Sequence, residues 1–113
     1  MNSFFKTYRI LLVILMSVSF LKMDAQISGK QKKANKFFNS YSYSKAIEKY
    51  LEIDRKDLSV KQNLAESYYH LSNFKQSEKW SKSVIRSRKH IAEDVRRYAY
   101  VLRMNEKYKE SEK

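Results

Sequence analysis

Three alanines, Ala34, Ala65 and Ala99, anchor stretches that stay in register for a dozen residues. The stretches are KKANKFFNSYSYSKAIEKY from Lys32, NLAESYYHLSNFKQSEKW from Asn63 and RYAYVLRMNEKYKESEK from Arg97. Three residues after each alanine stand Phe37, Tyr68 and Leu102; nine after, Tyr43, Phe74 and Tyr108; twelve after, Ala46, Ser77 and Ser111. The second copy follows the first by thirty-one positions, and the third follows the second by thirty-four. A period of that length restricts the chain to small units that cannot bury an apolar face alone and must stack on one another. Within the first unit Tyr43, Ala46, Ile47, Tyr50 and Ile53 fall on one face of a helix. The small Ala46 between aromatics marks a place where a second helix comes within about 8–10 Å.

Helix is also what the composition favours. The 113 residues contain no proline and a single glycine, Gly29, whereas sheets built from tight hairpins need such residues at their turns. The expected class is all-α, with helices over about 27–39, 43–55, 59–71, 74–87 and 91–104. A sixth would open at Tyr108 and stop at Lys113, leaving Tyr98, Leu102 and Tyr108 without complete cover. Ser59 with Gln62 and Asn73 with Gln76 have capping-box spacing at two of the predicted starts. The runs DRKD (54–57) and RSRKH (86–90) are polar connectors.

A step of about 34 residues, with small residues twelve apart and an aromatic between them, resembles the tetratricopeptide repeat (TPR) family. The resemblance covers residues 28–113. It implies antiparallel helix pairs, about two and a half repeats (roughly 27–57, 58–90 and an incomplete 91–113), wound into a short right-handed solenoid. It departs from the family in lacking a proline after the second helix of each pair, in Ser77 and Ser111 where alanine is preferred, and in its short first step. In that family the first helices of each pair line a concave groove. The matching positions are Gln31, Lys32, Asn35 and Phe38; Gln62, Asn63, Glu66 and Tyr69; and Glu93, Arg96, Arg97, Tyr100 and Arg103. Members that clamp a peptide carboxylate use Lys, Asn, Asn, Lys and Arg. Here Gln31, Asn35, Asn63, Glu93 and Arg97 occupy those places, so both lysines are missing. What remains is a polar groove with a basic end at Arg96, Arg97 and Arg103, suited to carboxylates and other oxyanions.

The segment 1–25 has a different character. Lys6 and Arg9 precede the apolar run ILLVILMSVSFL (10–21), and KMDAQ follows, the order of a secretory signal peptide cleaved between Ala25 and Gln26. Met23 is larger than the usual residue before such a site, so a retained anchor is the alternative. The leader, followed by KANKFFNSYSYSKAIEKY and NLAESYYHLSNFKQSEKW, is similar to the amino-terminal repeat segment of OmpA-family envelope proteins of Gram-negative bacteria. That implies export to the periplasm or outer membrane; the family's propeller-like and peptidoglycan-binding parts have no counterpart in this sequence.

Charge narrows the partners. The chain carries 24 Lys and Arg against 12 Asp and Glu; without residues 1–25, which hold Lys6, Arg9, Lys22 and Asp24, the balance is +10. For an exported chain, anionic lipids, cell-wall polymers or acidic proteins are the expected partners, and nucleic acid is not. No cysteine means no disulfide, thiolate metal site or thiol nucleophile. His70 and His90 lie twenty positions apart without a carboxylate pattern suited to a metal or proton relay, and no phosphate loop or nucleophile elbow is present. The expectation is therefore a non-enzymatic module without cofactor that mediates protein–protein contacts in the cell envelope. Two alternatives stand beside it: a basic peripheral binder of anionic membrane or cell-wall polymer, and a shortened gene product without independent function.

Overall fold

The computed structural model describes residues 27–112, and the signal-peptide expectation lies outside them. Five helices follow in order: α1 (Gly29–Asn39), α2 (Tyr43–Leu51), α3 (Leu58–His70), α4 (Phe74–Ile85) and α5 (Ala92–Ser111). There is no strand among the described residues, and none of their helices is long and apolar enough to cross a membrane. Each helix packs on the next; α1 also touches α3 and α3 touches α5, whereas α2 and α4 do not meet. The odd-numbered helices therefore share one side of the molecule.

Small residues sit at the crossings. Ala34, Ala46 and Ala65 are completely buried, and Ala34 and Ala46 belong to one apolar cluster with Ile47, Tyr50, Ile53, Val60 and Leu64. In the second hairpin Ser77 takes the place of Ala46, and its buried hydroxyl donates to the Ala65 carbonyl at 2.8 Å. Phe37, Phe38, Tyr68 and Trp80 pack around the cluster. Ala99 occupies the corresponding position of α5 but is exposed, because no described helix covers that face.

The two short turns are built alike. Tyr41 and Ser72, one repeat step apart, both adopt left-handed backbone (φ 60° and 59°). The N–H of Ser42 donates to the Phe37 carbonyl and that of Asn73 to the Tyr68 carbonyl, each at 2.9 Å. Tyr41 and Ser72 themselves donate to Phe38 and Tyr69 at 3.0 Å. This paired bonding ends α1 and α3 by the Schellman pattern, without the glycine that usually relieves it.

Three expectations need correction. No helix opens at Tyr108, because α5 runs unbroken from Ala92 to Ser111. The reason is local: where the other copies have Tyr41–Ser42 and Ser72–Asn73, α5 has Glu106–Lys107. Glu and Lys both favour helix, and a lysine ammonium has no lone pair with which to cap N–H groups. The cap of α3 is Asp57, whose carboxylate accepts from the Val60 N–H at 2.9 Å; Ser59 lies inside the helix. Asn73 does cap α4, accepting from the Gln76 N–H at 3.3 Å. Finally, α2 and α4 end at Leu51 and Ile85, a few residues before the expected limits.

Candidate interaction groove

On the side shared by the odd-numbered helices, α3 and α5 enclose a cavity of about 290 Å³. Glu66, Tyr69 and His70 line it from α3, and Glu93, Arg96, Arg97 and Tyr100 from α5. The i, i+3, i+4 spacing on each helix brings these side chains to one face. Six of the expected groove residues converge here: Glu66, Tyr69, Glu93, Arg96, Arg97 and Tyr100. Arg103 is exposed and does not line the cavity.

The wall is aromatic. Tyr69 meets Tyr100 edge-on at 5.4 Å between ring centroids, and both lean on Phe74 at 6.3 and 5.9 Å. His70 stacks flat on Tyr43 at 4.4 Å, and Tyr43 meets Phe38 at 5.9 Å. A run of rings thus links α1 to α5 across the odd-helix side. Burial raises the Tyr43 hydroxyl above its usual pKa, with the nearby Glu66 carboxylate and Tyr41 adding to the effect. His70 is the groove residue that repeat positions alone did not assign. Its signal in the sequence is the i, i+4 spacing from Glu66, to which it lies at 3.5 Å.

The charges differ from the expected basic end. The Arg97 guanidinium, with its side chain only 9% exposed, lies 3.6 Å from Glu66 and 3.5 Å from Asp94. Asp94 is itself buried and accepts from the Ile91 N–H at 2.9 Å and from the Gln62 amide at 2.8 Å. Arg96 lies 3.6 Å from Glu93. Three carboxylates therefore face two guanidinium groups, so the groove is mixed in charge. Arg97 is enclosed by its own carboxylates and not free to fork onto an external anion.

Apart from the exposed Lys32 and Arg103, the remaining expected residues hold the helices together. The Tyr50 hydroxyl of α2 donates to the Asn35 amide oxygen of α1 and accepts from the Asn63 amide of α3 at 2.8 Å. The two asparagines that match the peptide clamp thus converge on this chain's own tyrosine. Burial raises the Tyr50 pKa, against the Asn63 hydrogen bond, which lowers it, and with Asp57, which raises it. Gln31 reaches the Asp57 carboxylate at 3.4 Å, as Gln62 reaches Asp94 one repeat later. Phe38 is half-buried between Tyr43 and Tyr50. Among the described residues no three His, Asp or Glu converge as metal ligands.

No family model, curated protein or solved structure matches this chain.

Proposed function

We propose that this chain is an exported TPR-type module that binds an extended segment of another cell-envelope protein in the α3–α5 groove. The supporting observation is that helices one repeat step apart touch along one side, and six residues selected by repeat position alone line the cavity there. The duplicated left-handed turns and the small residues at the crossings support the helix-pair reading. The resemblance to the repeat segment of OmpA-family proteins supports the envelope as the setting.

An aromatic wall with balanced charge suits a peptide that presents an apolar side chain flanked by polar groups, since rings supply contact area at low entropic cost. The neutralised Arg97 argues against a bare carboxylate as the main determinant. A photo-crosslinking residue at Tyr100, expressed in the native envelope, should yield one discrete adduct with an envelope protein, and Tyr69→Ala should abolish it. The same probe at Lys45 on α2 should give none. A probe at Tyr100 that forms no adduct, or the same adduct from Lys45, removes the groove from consideration.

A further inference from the structure

The outer face of α4 and its C-cap residue carry Lys75, Lys79, Lys82 and Arg86 at i, i+4, i+7 and i+11, all four exposed. At 100° per residue they fall within a narrow band opposite the buried Phe74, Ser77, Ser81 and Val84. The stripe is about 16 Å long at 1.5 Å rise per residue. Among the described residues none of the four is within ion-pair distance of a carboxylate. The one acid of α4, Glu78, is half-buried and lines a cavity with Lys75, Asn105, Tyr108 and Lys109, outside ion-pair distance of Lys75. The positions one repeat step earlier are Ser44, Glu48 and Leu51 of α2 and Arg55 beyond its end, so the stripe does not come from the repeat.

We infer that the α4 face docks on an anionic lipid surface, a reading that does not depend on the groove. Lys75 borders the cavity that Glu78 lines, but Lys79, Lys82 and Arg86 do not, and four cations spaced along a line cannot converge on one small anion. A flat array of headgroup phosphates meets all four together. No large apolar side chain is exposed on α4. A specific protein interface is built around a desolvated apolar or aromatic centre, which this face lacks. A diffuse anionic surface needs only charge, at roughly fivefold in partitioning for each basic residue near the headgroups.

The test is co-sedimentation of the full chain with vesicles of phosphatidylcholine alone or with about one third phosphatidylglycerol. The readout is the ratio of the two partition coefficients, which removes any contribution common to both membranes. The wild type should favour anionic vesicles strongly at low salt and much less near 0.5 M, where exposed charges are screened. Replacing Lys75, Lys79, Lys82 and Arg86 together by Gln should lower the ratio by roughly several hundredfold. A control variant with Lys30, Lys32, Lys33 and Lys36 of α1 changed to Gln removes the same charge and should keep most of it. Circular dichroism establishes that both variants are helical. Equal loss in the two variants would make the attraction one of net charge and overturn the proposal. So would an unchanged ratio in the α4 variant, or retention on polyglutamate or duplex DNA without preference for anionic vesicles.

Discussion

The two helical hairpins share a turn and a crossing but differ in how they satisfy buried polar groups. In the α1–α2 hairpin the Tyr50 hydroxyl is bonded to an asparagine on each neighbouring helix. In the α3–α4 hairpin the corresponding residue, one repeat step on, is Ser81, and its buried hydroxyl makes no hydrogen bond. Neither do the buried Ser67 hydroxyl and the Trp80 indole N–H. The repeat therefore preserves backbone approach and turn geometry more strictly than it preserves polar pairing. The first hairpin is a closed hydrogen-bonded joint; the second tolerates unpaired groups and depends on shape and on α5.

Enlarging a crossing should damage both hairpins most. Ala46→Leu and Ala65→Leu each force helices apart at a fully buried position, and a loss of about 2–3 kcal/mol in urea unfolding is expected from either. A much smaller effect in the second hairpin would mean that its helices are free to separate, and the shared-crossing half of the comparison would fail.

Polar substitutions should separate the two. Tyr50→Phe leaves Asn35 and Asn63 without their common partner and should cost about 1–3 kcal/mol. Ser81→Ala removes an unpaired buried hydroxyl and should be neutral or stabilising by up to about 1 kcal/mol. Losses of equal size in the two variants would erase the contrast. Alkaline titration sharpens it. Tyr50 has a raised pKa in the folded chain, so its contribution is complete below the ordinary tyrosine value of 10.0 and is lost as pH rises through the folded value. Stability should therefore decline above about pH 10, and less steeply in Tyr50→Phe, with tyrosinate absorbance as the direct readout.

The turns should show the smallest effect and the greatest similarity. Ser72→Gly relieves a left-handed conformation at an exposed position and should stabilise by about 0.5–1 kcal/mol. Destabilisation there would mean that the serine side chain holds the turn by contacts the backbone bonds do not reveal.

The repeat columns made the first four helices legible, because a small residue at a close crossing and an aromatic at a helix start are read directly from Ala34, Ala46, Ala65, Tyr43 and Phe74. The continuation of α5 was also written in the chain, in Glu106 and Lys107, but similarity at Tyr108 and Ser111 outweighed the turn chemistry just before them. The α3 cap went to Asp57 because a carboxylate two residues before Ser59 reached the free N–H groups first. Repeat position found six groove residues. It could not show that Asn35 and Asn63 already share Tyr50, or that Arg97 lies against Asp94 and Glu66. Those pairings join helices far apart in sequence, and local spacing carries no information about them.

The unbroken α5 has a mechanical consequence. Near its start Asp94 holds Gln62 of α3, and three turns later the Asn105 amide donates to the Phe74 carbonyl at the opening of α4, with Tyr108 beside the Phe74 ring. A helix that had ended at the expected residue 104 would have braced only one end of the preceding hairpin. As a strut fastened at both ends, α5 obliges α3 and the first turn of α4 to open together. Their amides should accordingly exchange with solvent as one cooperative unit.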